Sequence, residues 1–251
     1  MRSMTYFDFH VHIDNYPNPK KLAKEYESNK IYALFVTNLP ELFEKQFDTY
    51  QGFKYVRLAL GYHPDLTDEF PLNEELFDRL ASKTSYIGEV GIDISGNQPT
   101  DNLQRQIDNF YFVTQRKYNK NKIYSVHSRG AEDEVLKILI ENDVKYAVFH
   151  WYTGKISTLE RIIERKYMFS VNINMLLSKK GRNIIKKIPQ DLILFETDGP
   201  FTRFEKKITR PVQIPLLLDF FDEHINNFTE ISYKNFRRML LLRDLQSKIR
   251  T

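Results

Sequence analysis

A chain of 251 residues, 41% hydrophobic and 28% charged, can bury roughly 70–75% of its unfolded surface, which excludes a stapled mini-fold and intrinsic disorder. It has no cysteine, so disulfides, zinc ribbons and thiol nucleophiles are excluded, and any metal must be held by His, Asp or Glu. The 37 basic and 33 acidic residues, formally +4, are too balanced to imply nucleic acid by themselves.

Taken in chain order, eight β-branched and aromatic runs read as strands: Tyr6 to Ile13, Ile31 to Thr37, Tyr55 to Gly61, Tyr86 to Ile92, Ile123 to His127, Tyr146 to His150, Tyr167 to Ile173 and Leu192 to Thr197. Successive starts lie 21 to 37 residues apart, room for a strand and a crossover helix each time, which points to parallel pairing. Apolar residues at three- and four-residue steps predict helices over Asn73 to Ser82, Asp101 to Tyr118, Ala131 to Glu141 and Ile156 to Arg165. Two more close the chain, Pro211 to Ile225 and Ser232 to Ile249. Eight strand-then-helix units in this length predict a (β/α)8 TIM barrel, a single domain over 1–251, in preference to an open doubly wound sheet. Asp8, His10 and His12 interrupt the opening apolar stretch, and nowhere do about 18 apolar residues run together. The chain is therefore expected to be soluble, unexported and cytoplasmic, with no membrane partner.

Five of the six histidines fall at or just past the C-terminal ends of predicted strands, the face on which barrel enzymes build active sites. His10 and His12, two apart on the first strand, share a face and can grip one metal, although such a pair alone also fits solvated imidazoles. Glu89 sits between Gly88 and Gly91, where backbone runs close to something. Taken alone, a Glu here is more often a salt-bridge partner. His127, His150 and the run Glu196-Thr197-Asp198 end the fifth, sixth and eighth strands. Imidazoles and carboxylates converging from five strands lack donors for one another, and one or two divalent ions answer that better than mutual hydrogen bonds.

The motifs Asp8-x-His10-x-His12-x-Asp14, Gly61-x-His63-Pro64, Gly88-Glu89-x-Gly91-x-Asp93, His127-Ser128-Arg129, His150-x-x-x-Gly154 and Glu196-Thr197-Asp198-x-Pro200 occur in an order and spacing that resembles the TatD family of metal-dependent nucleases. The match runs from about residue 8 to 200 and fills every ligand position. The resemblance implies two divalent ions (Zn, Mg or Mn), one held by His10, His12 and Asp198 and one by His127 and His150, with Glu89 bridging. Two cations about 3.5–4 Å apart clamp the attacking and leaving oxygens of a phosphodiester and acidify a shared water. Glu89 and Asp198 are then the catalytic carboxylates, Asp198 orienting and deprotonating that water. The implied activity is a hydrolase acting on ester bonds, a deoxyribonuclease, by analogy an exonuclease, with DNA, single-stranded or at ends, as partner. Within the family, His150-Trp151-Tyr152, Phe169-Ser170-Val171 and Glu196 to Phe201 look most like the TatD-type subunit of Qat anti-phage defence systems, implying other Qat subunits as partners. Two departures touch substrate preference: Thr209-Arg210-Pro211 stands where many members carry Asn-Pro, and Trp151 where smaller residues are common.

Around the implied centre, His63 is expected to touch substrate phosphate or to be a structural imidazole. Arg129 is expected to fork a phosphate or to form a surface pair, and Glu196 to support a ligand histidine or to form an ion pair. Trp151, with Tyr152 and Phe201, is expected to stack bases or to pack under a loop. Lys179, Lys180 and Arg182, with Arg203, Lys206, Lys207 and Arg210, form either solvated loops or a track for a nucleic-acid backbone. His224 reads as surface. Two rival functions share the fold: an amidohydrolase-like enzyme acting on a small molecule, and a metal-bound non-catalytic subunit of a defence complex. Glu89 at the place of a modified lysine disfavours the first, and the complete ligand set disfavours the second.

Overall fold

The computed structural model describes residues 6–95, 100–115, 117–118 and 121–248. Eight parallel strands follow one another in chain order around a barrel: β1 (Phe7–Val11), β2 (Tyr32–Val36), β3 (Val56–Tyr62), β4 (Tyr86–Gly91), β5 (Ile123–His127), β6 (Tyr146–His150), β7 (Met168–Val171) and β8 (Ile193–Phe195). The ring closes just past the end of β8, where Asp198 N–H donates to the His10 carbonyl and His12 N–H to the Gly199 carbonyl, each at 2.9 Å. The (β/α)8 TIM barrel expected from the strand spacing is the fold observed, and all eight predicted runs are its strands.

The crossover helices are α1 (Pro19–Ser28), α2 (Pro40–Tyr50), α3 (Glu74–Ala81), α4 (Thr100–Val113), α5 (Glu132–Glu141), α6 (Ile156–Glu164) and the short pair α7 (Ile173–Leu177) and α8 (Lys179–Ile185). A two-stranded hairpin, β9 (Arg203–Phe204) and β10 (Lys207–Ile208), precedes α9 (Ile214–His224) and α10 (Phe228–Lys248). Proline opens α1 and α2 at the first helical position, where its missing N–H costs nothing, and Asn18 and Asn73 cap α1 and α3 by accepting from Lys21 N–H and Leu76 N–H. Helix α4 ends at Val113, short of the predicted Tyr118. Ile249, the predicted end of the last helix, lies outside the described residues. Aromatics pack the layer between barrel and helices: Phe236 of α10 stacks on Phe7 at 4.6 Å, and Phe195 meets Phe7 edge to face. No described helix is long and apolar enough to cross a membrane.

Two irregularities of register matter for function. Pairing shifts between Asp8 and Val11 on β1, and between Ile87 and Val90 on β4. Each bracket contains a rim residue, His10 and Glu89, and such shifts re-aim side chains beside functional sites. Gly91 permits the closing approach of β4 to β5: its φ is 155°, and an added Cβ would lie 1.8 Å from the His127 carbonyl oxygen.

Candidate metal centre

The rim gathers every predicted ligand into one cluster around Glu89, which is 1% exposed. One carboxylate oxygen, Oε2, lies 3.0 Å from His12 Nε2 and 3.4 Å from His10 Nε2. The other, Oε1, lies 2.7 Å from His127 Nδ1 and 2.8 Å from His150 Nε2. Asp198 completes the first group, with Oδ1 3.5 Å from His12 Nε2 and 3.8 Å from His10 Nε2. A single carboxylate thus divides its two oxygens between two pairs of imidazoles.

The far nitrogen of each imidazole faces an oxygen that fixes which nitrogen points inward. His10 Nδ1 is 2.7 Å from Ser125 Oγ, His12 Nδ1 is 3.2 Å from Asn38 Oδ1, and His127 Nε2 is 2.6 Å from Asp93 Oδ2. His150 Nδ1 faces Glu196 Oε1 at 3.7 Å. Glu196 is itself held by Ser170 Oγ, Asn172 Nδ2 and Trp151 N–H, so the sequence expectation of a supporting acid has a definite partner here. In the neutral rings of His10, His12 and His127 the far N–H donates outward and the inward nitrogen is an acceptor, whereas His150 Nδ1 makes no hydrogen bond. Glu89 Oε2 and Asp198 Oδ1 are buried without a hydrogen-bond donor. Lone pairs converging with no donor between them are the arrangement that divalent cations satisfy, and the His, Asp and Glu donor set suits borderline or hard ions.

Protons and cations compete for these lone pairs. Burial would lower the His127 imidazole, but hydrogen bonds to Asp93 and Glu89 lift it to about 9. Burial would likewise lower His150, yet Glu89 and Glu196 raise it well above the usual histidine range. Burial, then the charge on His150, holds His10 well below that range. Burial would raise Glu89, but His63, His150 and His10 keep it well below the carboxylate range. Asp198 goes the other way: burial pushes it up to about 7 despite His150 and His12. A cation entering here displaces protons.

His63 approaches more closely than its sequence context suggests, with Nε2 3.4 Å from Glu89 Oε2. Its Nδ1 accepts from Asp65 N–H, which leaves the proton of the neutral ring on Nε2, the reverse of His10, His12 and His127, although Nε2 makes no hydrogen bond to Glu89 Oε2. Arg129 is exposed at the mouth, Trp151 half-buried beside it, and Phe201, 58% exposed, sets its ring edge to face with His12 at 5.0 Å. All three line a pocket of about 700 Å3 over the cluster, as do His63 and Lys180. Trp151 and Asp198 adopt left-handed backbone, φ 38° and 49°, which non-glycine residues tolerate only where surroundings fix them. For Asp198 those surroundings include its own N–H bond to His10.

Of the basic stretches, Arg182 is engaged by the Leu176 and Leu177 carbonyls and Arg210 by Glu25, so neither is an unengaged cation at the mouth. His224 is exposed on α9, as expected. Sequence reasoning gave no role to Asn38, Asp93 or Ser125. The available signals were a polar residue just past β2, an acid inside the Gly88 to Asp93 motif, and a serine two residues before His127 on the same strand.

A parallel eight-stranded barrel with histidines and carboxylates gathered at its C-terminal rim defines the metal-dependent hydrolase class of TIM barrels. Residues 7–241 match the family described as TatD related DNase, and the chain belongs to that family. It is 23% identical over 223 residues to the uncharacterized metal-dependent hydrolase YjjV of Escherichia coli K12, covering 83% of this chain and 85% of that one. It is 27% identical over 207 residues to human deoxyribonuclease TATDN3, covering 74% and 73%. The crystal structure of the Escherichia coli YjjV protein superimposes with a TM-score of 0.79 at 21% identity, covering 96% of each chain, a likeness of fold.

Proposed function

We propose that this chain is a divalent-metal-dependent deoxyribonuclease that hydrolyses phosphodiester bonds of DNA from a strand end. The observation that carries the reading is the division of Glu89 between two imidazole pairs, with Asp198 Oδ1 buried and undonated beside one of them. His10, His12 and Asp198 would hold one ion, His127 and His150 a second, and Glu89 would bridge. Such ions supply positive charge against phosphodiester oxygens and Lewis acidity toward water. The remaining work falls to the chain itself. Asp198, its carboxyl raised by burial, is suited to orient water and take its proton. His63 Nε2–H and the Arg129 guanidinium present donors to a phosphate at the mouth, and Trp151 and Phe201 present ring surface to bases, which favours single-stranded DNA or frayed ends. The similarity to a relative named as a deoxyribonuclease supports DNA as the substrate. The narrower resemblance of His150 to Tyr152 and Glu196 to Phe201 to Qat subunits supports a setting in anti-phage defence, with other Qat subunits as partners.

The test is the purified protein with Mn2+ or Mg2+ on single-stranded DNA, duplex DNA, RNA and cyclic amides. Shortening of single-stranded DNA from an end, absent in Glu89→Gln, is expected. Hydrolysis of a cyclic amide with all nucleic acids left intact would overturn the reading.

A further inference from the structure

A second cavity, of about 520 Å3, opens beside the catalytic pocket between the loops after β5 and β6 and the start of α8. Thr153 and Lys180 line both, so the two cavities share a wall. Its other polar lining is Lys155, Asn183 and Glu132, and Gly154 forms part of its surface. At Gly154 an added Cβ would come within 2.6 Å of the Glu132 carboxyl carbon and the Tyr152 hydroxyl, so a larger residue would crowd this hollow.

We propose that this cavity is a strand subsite: it takes the sugar-phosphate of the nucleotides adjoining the one at the metal-competent cluster. The inference rests on the phosphodiesterase reading and adds the path the strand follows. Charge around the mouth sets the direction. On the β3 side the pocket wall carries the exposed carboxylate of Asp65, which repels a phosphate backbone. On the β5 to β7 side it carries Arg129 and Lys180, and the path continues to Lys155. Among the described residues, the side chains of Thr153, Lys155, Lys180 and Asn183 make no hydrogen bond or ion pair, so their donors face outward unengaged. Glu132, the one acid in the lining, keeps its charge and accepts from Gly130 N–H, and it stands against two cations, Lys155 and Lys180. The hollow is open to solvent, as a groove that a strand crosses would be. The hairpin cations Arg203, Lys206 and Lys207, although close in sequence to Asp198, line neither cavity.

The test uses the full chain with Mn2+, a hexamer of single-stranded DNA, and a dinucleotide too short to reach beyond the catalytic pocket. In a Lys155→Ser, Asn183→Ala variant, the ratio of hexamer to dinucleotide kcat/KM is expected to fall about 10-fold. The salt slope of hexamer binding should weaken by about 0.7, the value for one phosphate contact on a single strand. An Arg203→Ser, Lys207→Ser variant should hold the ratio within about twofold. An unchanged ratio in the cavity variant, or the loss appearing in the hairpin variant instead, would overturn the proposal. Hexamer binding in Ca2+, followed by fluorescence anisotropy, separates the two readings. Binding that weakens about 10-fold in the cavity variant while the wild type cleaves nothing keeps the subsite and sinks the nuclease. Equal binding by wild type and cavity variant sinks the subsite, whatever is cleaved, and so does no binding at all.

Discussion

Asp93 Oδ2 lies 2.6 Å from His127 Nε2, and this contact turns the opposite ring nitrogen toward Glu89. Burial would raise the Asp93 carboxyl, but hydrogen bonds from His127 and Ser95 hold it down at about 2, so it stays an acceptor through the whole working range. Removing such a partner releases the ring and lowers its basicity. Asp93→Ala should therefore weaken divalent-metal affinity about 10–100-fold, measured by chelator competition. Asp93→Asn, which keeps an acceptor oxygen, should lose less. Equal, wild-type affinities in both would show that His127 needs no such support.

Glu89 and Asp198 carry the proposed chemistry without filling the apolar core. Glu89→Gln and Asp198→Asn should each lower phosphodiesterase activity by at least about 100-fold, while the circular dichroism spectrum and the cooperativity of unfolding stay native. The measurement is a gel or fluorescence assay on labelled DNA at saturating Mn2+. Near-native rates in Glu89→Gln would remove the bridging carboxylate from the mechanism.

The barrel was legible because each strand is a short β-branched or aromatic run, and its rim because imidazoles and acids end those runs. Helices α1 and α2 were less legible. No helix is predicted over either; both open with proline at the first helical position, and α1 buries only Leu22, Ala23 and Tyr26. The candidate ligands could be read one strand at a time, and so could Glu196, but the other groups that hold them could not. Ser125 reaches His10 across 115 residues of chain, and a serine inside a strand carries no mark of its partner. The partners of the basic stretches were hidden for the same reason. Arg182 and Arg210 look unengaged in one dimension, whereas folding brings carbonyls to one and Glu25 to the other.

Convergent acceptors without donors make metal binding a stabilising event. A ligand that binds only the folded chain at 100 times its Kd adds about 2.7 kcal/mol, which in a chain of this size raises Tm by about 5–10 °C. Saturating Mn2+ should produce a shift of that order in differential scanning fluorimetry, excess chelator should abolish it, and Asp198→Asn should reduce it. A wild-type Tm indifferent to Mn2+, Mg2+ and Zn2+ would contradict the reading of the cluster as a metal centre.

At the opposite end of the barrel, Lys122 enters β5 with its ammonium donating to the carbonyls of Ala81 and Thr84. Burial, with the nearby charge of Arg243, lowers it from 10.5 to about 8. Between those two values the unfolded chain holds a proton at this lysine that the folded chain does not. Stability from this group therefore rises with pH across the window, and the full penalty is present below about pH 8. Lys122→Met removes the titration, so the Tm difference, wild type minus variant, should grow by several degrees between about pH 7.5 and 9.5. Every other titrating group is common to both proteins and cancels in the difference. A difference that stays flat, or shrinks as pH rises, would mean the ammonium keeps its proton in the folded state and that the two carbonyls compensate fully for its burial.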